Sequence, residues 1–184
     1  SGSLPETMRE TYYRLLYKKG EFTRQQVVEG SLEGTDSDPR DLGNWRPIGL
    51  LCCNFKILSS YMANSLKPHM DSIVSPNATA FIPGRSIHDN IMLAQMMIHY
   101  YDNEKKGAGL LGIDFEQAYT YLSQEFIVAV LEAMNFPPLF RTALGLQFEK
   151  QTGRVIVNGD LTELFPVRNG GKQGDPLFPL VYVT

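Results

Sequence analysis

The sequence predicts an α+β or mixed α/β fold in which helices dominate. Three observations carry that expectation. Ile87, Ile91, Ala94, Ile98 and Tyr101 recur every three or four residues, which is the repeat of a helix face. Asn158-Gly159 separates two β-rich runs within "GRVIVNGDLTELFPV", a short-range hairpin signal. No internal repeat or low-complexity segment interrupts the 184 residues, so residues 4–184 read as a single domain. Ser1-Gly2-Ser3 reads as a leftover of expression rather than as part of the fold.

The elements follow in order. Met8, Tyr12, Leu15, Leu16 and Tyr17 have helical spacing, which predicts a helix over 4–19. Residues 20–43 are polar and rich in turn formers, and they read as a surface loop or weak hairpin. "NWRPIGLLCC" then enters an apolar stretch, and Phe55, Leu58, Met62 and Leu66 predict a helix that closes near Pro68. "FIPGRSIHDN" supplies a Pro-Gly turn, with Ser86 as the N-cap of the helix that starts at Ile87. "EKKGAG" is a loop, and Leu110 to Ile113 is predicted to be a buried strand ending in Asp114. Ser123 opens a helix with Ile127, Val130, Leu131 and Met134 on one face; Pro137-Pro138 stops it and begins another. A last helix begins at Pro176-Leu177.

Composition narrows the function classes. With 43% hydrophobic residues the chain can bury a core, and no run approaches the length of a membrane span. Without a signal-peptide pattern the chain reads as intracellular, nuclear or cytoplasmic, and not secreted. Cys52 and Cys53 are adjacent, which excludes a CxxC metal site and a disulfide framework, and predicts buried thiols. The formal charge is −3, and residues 20–43 carry six acids (Glu21, Glu29, Glu33, Asp36, Asp38, Asp41) against two bases (Arg24, Arg40). Strong nucleic-acid binding needs a basic face to neutralise phosphates, so only weak binding to RNA or DNA is expected. His69, His88 and His99 lack ligand spacing; His88, with Asp89 and Asn90, reads as part of a helix first turn.

Asp114 alone says little, since an acid after a strand is more often a cap or turn residue. Its company says more. "NWRPIGLL", "FIPGRSIHDN", "IDFEQAY" and "GGKQGDPLFPL", in that order, resemble the reverse transcriptases of the non-LTR (LINE-type) retrotransposon family across nearly all of residues 4–184. The resemblance implies reverse-transcriptase-like fingers and a partial palm, with helices packed on a small antiparallel sheet.

The resemblance also implies residue roles. Asp114 matches the first metal-binding carboxylate of a polymerase palm, where hard oxygen ligands hold two Mg2+ ions about 3.5–4 Å apart. Phe115 matches the residue whose backbone carbonyl adds a ligand. Tyr119 matches an aromatic steric gate beneath the sugar; read without the family, it is equally an ordinary core aromatic. Arg46 and Arg85 match finger residues that reach the incoming triphosphate with a guanidinium, the bland alternative being surface ion pairs. Gln173 and Gly174, with Pro176, match the segment that packs against the nascent base pair and the template, the bland alternative being a plain loop.

The pattern is also incomplete. The family carries two adjacent aspartates beyond this region, and no Asp-Asp pair occurs in this sequence. Thr120 stands where the family usually has Asp, Ala78 and Ala80 where it has Gln and Gly, and Phe178 where it has Ser. Relatives carry bases on a fingers strand where 21–42 is acidic here. The sequence therefore predicts a domain derived from an RNA-directed DNA polymerase that does not bind Mg2+ productively as this chain. Its expected role is that of a binding or assembly module, with a fragment of an active polymerase as the alternative. An uncovered palm edge, together with the apolar Leu180, Val181 and Val183, predicts a partner over that face: a homodimer or another protein, and no membrane.

Overall fold

The computed structural model of the chain describes residues 3–18, 26, 29–30, 37–105, 107–115 and 117–184. Much of the 20–43 loop expected from sequence, including Glu21, Glu33 and Asp36, lies outside the described residues. The fold is α+β, with helices around a five-stranded sheet. Helix α1 (Glu6–Arg9) is a single turn and passes directly into strand β1 (Glu10–Tyr17). The helix predicted over 4–19 is thus mostly a strand. β1 runs down the middle of the sheet: Thr11 to Tyr17 pair antiparallel with Leu51 to Trp45, and Glu10 to Arg14 pair parallel with Thr152 to Ile156. Its tyrosines and leucines suit a pleated surface, and two ladders outweigh a helical spacing that one short segment cannot stabilise alone.

Strand β2 (Trp45–Leu51) forms one edge of the sheet, which is where Pro47 is tolerated in a ladder. Strand β3 (Thr152–Val157) turns at Asn158-Gly159 into β4 (Asp160–Leu161), and β5 (Phe165–Pro166) pairs with the start of β3. Asn158 at φ 53° and Gly159 at φ 96° give the two left-handed positions that the Asn-Gly signal requires. Because β1 and β3 are parallel, the sheet is mixed rather than antiparallel.

Helices make the core. Phe55, Met62, Ala63 and Leu66 of α2 (Cys53–Leu66) are buried, and Met70 of α3 (Met70–Ile73) continues that face. Ile127 and Leu131 of α6 (Gln124–Ala133), with Leu144 and Phe148 of α7 (Pro138–Phe148), pack into the same cluster. Ser123 caps α6 by accepting from the Phe126 N–H at 3.3 Å, as the sequence predicts. Leu177 and helix α8 (Phe178–Val183) close the cluster: Leu180 and Val181 are buried in it, and Val183 packs against it. The need for a partner over those three residues is therefore corrected, because the chain's own core covers them. Cys53, expected to be buried, is exposed at the start of α2.

Two segments stay outside the core. Helix α4 (Ile87–Asn103) forms where its periodicity and Ser86 place it, yet none of its residues is buried. Leu110 to Ile113 form no strand; Leu110, Leu111 and Ile113 are 75–82% exposed. The expected buried strand fails because an apolar run becomes a strand only when a neighbour accepts its ladder. The sheet pairs in the order β2-β1-β3-β4, with β5 also on β3, and none of these strands pairs with this segment. Helix α5 (Ala118–Tyr121) follows, entered through Gln117 in the left-handed region at φ 50°.

Candidate functional site

The site grows from a turn. Residues 170–175, "GGKQGD", link the end of the sheet to α8, and the Asp175 N–H donates to the Lys172 carbonyl at 3.0 Å. Lys172 to Asp175 thus form a hydrogen-bonded β-turn, with Gly174 at φ 85° in the position where such a turn favours glycine. The turn rests on β2: a Cβ on Gly49 would lie 2.5 Å from the Gln173 carbonyl oxygen, so only glycine permits the approach.

Both ends of the turn are buried ionisable side chains, Lys172 at 2% and Asp175 at 6% exposure. Lys172 Nζ donates to the carbonyls of Met8 (2.6 Å) and Arg9 (3.1 Å) and sits 4.3 Å from the centroid of the Phe55 ring. Burial lowers its pKa to about 8, while the nearby Asp175 carboxylate and Cys52 pull it back up. Asp175 accepts from the Ser59 hydroxyl of α2 and from the Leu177 N–H at 2.9 Å. Burial raises its pKa, and its hydrogen bonds and Lys172 oppose the rise.

Tyr119 on α5 faces this turn. Its ring stacks on Tyr182 with centroids 4.6 Å and planes 30° apart, and tilts against Phe178 at 5.8 Å. Burial raises its pKa first, and the neighbouring Tyr182 adds to the shift. Tyr119, Gln173, Gly174, Phe178 and Phe81 line a cleft of about 260 Å3. Gln173 also lines a neighbouring cleft of about 450 Å3 with Tyr13, Thr120 and Phe165, and its side-chain oxygen is buried without a hydrogen-bond partner among the described residues. Of the residues singled out from sequence, the fold brings together Tyr119, Gln173 and Gly174.

The others lie elsewhere. Asp114 and Phe115 sit in the exposed segment before α5 and do not line the cleft. Arg46 pairs with Leu16 and is three residues from Gly49, so strand alternation sends it to the sheet face away from the turn. Arg85 is engaged in full: Nε and Nη2 meet the Asp71 carboxylate at 3.0 and 2.8 Å. Its Nη1 donates to the carbonyls of Ser75 (2.6 Å) and Ala78 (2.7 Å), and Nη2 reaches those of Asp71 and Val74. The guanidinium pins the loop after α3 and leaves no donor for a phosphate. Among the described residues no three His, Cys, Asp or Glu side chains converge to hold a metal ion. One exposed carboxylate is too few oxygen donors for a pair of Mg2+ ions, so the described residues do not fit that group by themselves.

Lys172, Asp175, Ser59 and Tyr182 escape a reading by sequence. The signal for the first two was present: a cation and an anion flanking Gln-Gly inside an otherwise apolar motif. Ser59 and Tyr182 gain meaning only from packing.

Residues 34–184 match the family described as "Reverse transcriptase (RNA-dependent DNA polymerase)". The chain is 28% identical over 183 residues to the "Transposon TX1 uncharacterized 149 kDa protein" of Xenopus laevis, covering 96% of this chain and 14% of that protein. It is 24% identical over 148 residues to the "Retrovirus-related Pol polyprotein from type-1 retrotransposable element R2" of Popillia japonica, covering 80% of this chain and 20% of that protein. Against the type-2 element R2DM polyprotein of Drosophila melanogaster it is 25% identical over 150 residues, covering 80% of this chain and 14% of that protein. The chain therefore spans 14–20% of the length of these relatives.

Proposed function

The chain belongs to the reverse transcriptase family, on its non-LTR retrotransposon side, and from that premise we propose that these 184 residues act as a binding and assembly module that does not polymerise by itself. The carboxylate inventory carries this reading. Two-metal phosphoryl transfer needs several oxygen ligands on converging side chains, and among the described residues no acidic cluster joins the exposed Asp114. What the chain keeps is the cleft of about 260 Å3 lined by Tyr119, Gln173 and Gly174, which we assign to a sugar and base because of the roles their motifs imply.

The assembly half of the proposal rests on α4. Ile87, Ile91, Met92, Leu93, Met96, Met97 and Ile98 are 46–66% exposed on one helix, an apolar surface larger than scattered surface residues produce. A second copy of the chain is the proposed cover, since isologous pairing needs no other gene product. Sedimentation at several micromolar should give a dimer, and Met96→Glu should return it to monomer. A concentration-independent monomer overturns this half. Primer extension on a primed RNA template in Mg2+ or Mn2+ should not exceed an Asp114→Ala control, and extension above that control overturns the other half.

A second reading is favoured by the share of the relatives that the chain covers. In it, these residues are a segment of an active RNA-directed DNA polymerase, with further carboxylates supplied by flanking sequence. A longer polypeptide that includes this segment would then extend the primer and lose activity on Asp114→Ala.

A further inference from the structure

We infer that Lys172 is a positioning residue that ties the Gln173-Gly174 turn to the main chain at Met8–Arg9, so that the start of β1 and the cleft hold together as one unit. The inference rests on the reading that this cleft receives a nucleotide.

The geometry supports a tie rather than an incidental buried lysine. The ammonium spans 164 residues of chain to reach Met8 at 2.6 Å and 163 to reach Arg9 at 3.1 Å. Both carbonyls lie where α1 ends and β1 begins, a helix terminus whose last carbonyls have no partners within the helix. Lysine satisfies two of them with one group, and the Phe55 ring closes the side facing α2. Asp175 does not take over the role, because its carboxylate is held by Ser59 and the Leu177 N–H. The turn is therefore gripped on three sides: by the end of α1 through Lys172, by β2 through Gly49, and by α2 through Asp175 and Ser59. The Gly49 contact reaches β1 through the ladder that begins at Thr11, and the lysine adds a direct grip ahead of that ladder, at Met8 and Arg9. An apolar side chain at 172 would leave the Met8 and Arg9 carbonyls without this donor and release the turn from the end of α1.

Hydrogen exchange on the whole 184-residue chain tests this. Lys172→Met should speed exchange about tenfold in both 8–12 and 170–177, with no change in Cys53–Leu66 or Gln124–Ala133. Lys172→Arg, which keeps a cation able to donate to both carbonyls, should restore protection in both segments. A rise in only one segment, a uniform rise through the helices, or an arginine variant that behaves like methionine overturns the tie. Should Lys172→Met not fold, the unsubstituted chain decides the matter under mild denaturant: the two segments should open in one step, and two separate openings overturn the inference. Gln173→Ala keeps the two readings apart. Fluorescence anisotropy of a labelled primed RNA template with dGTP should weaken with that variant if the cleft receives nucleotide. Unchanged binding with coupled exchange removes the cleft reading and leaves the tie standing; weakened binding with uncoupled exchange does the reverse.

Discussion

The Ser59 hydroxyl, in the second turn of α2, donates to the Asp175 carboxylate, and both groups are sealed beneath the Lys172–Asp175 turn. The Ser59 oxygen also accepts from the Leu177 N–H at 3.1 Å. One hydroxyl therefore serves a buried anion and the start of α8 together. Ser59→Ala would take a donor from a buried carboxylate, a loss of roughly 1–3 kcal/mol. Denaturant unfolding of the variant should show that drop in midpoint with an unchanged slope. A variant as stable as the parent would mean that water replaces the hydroxyl without penalty.

Stability should rise with pH between about 8 and 10 because of Lys172. Its pKa is lowered to about 8 in the fold from an ordinary 10.5, so in that window the unfolded chain binds more protons than the folded one. Below pH 8 the buried ammonium carries its full penalty; above it the penalty fades as the amine becomes neutral. Above about pH 10 Tyr13 and Tyr119 act in the opposite sense, since burial raises both and the fold then holds their protons longer. Thermal melts at half-unit steps should rise to about pH 10 and then turn, and Lys172→Met should flatten the rise. A parent melt falling steadily from pH 8 would contradict the assignment.

Arg85 is expected to matter for folding and not for nucleotide. Arg85→Ala should cost about 1–3 kcal/mol, because carbonyls of the 71–78 loop lose their donor; Asp71 is largely exposed, so the ion pair itself adds little. Arg85→Lys should recover only a minor part, since one ammonium cannot reproduce a planar fork. Binding of dGTP, measured by calorimetry on folded variant, should be unaltered. A selective loss of nucleotide binding with intact stability would return Arg85 to the triphosphate role that its motif implies.

Nucleic-acid binding should be weak and no tighter than micromolar at physiological salt, as a chain of net charge −3 gains little from counterion release. Replacing Glu29, Glu33, Asp36 and Asp38 by lysine should strengthen binding to RNA and steepen its salt dependence. An anisotropy titration giving nanomolar, salt-steep binding for the parent would overturn this expectation.

Local sequence is enough for the helices with a strong repeat and a cap, such as Ile87–Asn103 under Ser86 and Gln124–Ala133 under Ser123, and for the Asn158-Gly159 hairpin. These are local features, fixed by side-chain spacing, cap chemistry and backbone conformations that few residues allow. Motif order also identified the family, and of the residues it singled out Tyr119, Gln173 and Gly174 line one cleft while Asp114, Phe115, Arg46 and Arg85 do not. The remaining elements depend on packing between segments distant in the chain. Tyr12 to Tyr17 have helical spacing yet form the central strand, because β2 and β3 offer ladders on both sides. Leu110 to Ile113 have a strand's composition yet form none, because no ladder neighbours them. Arg85 became a loop clamp, and Lys172 a link to Met8 and Arg9, through partners many residues away in the chain. A side chain's partner across such distances depends on the packing of whole elements, which neither spacing nor composition encodes.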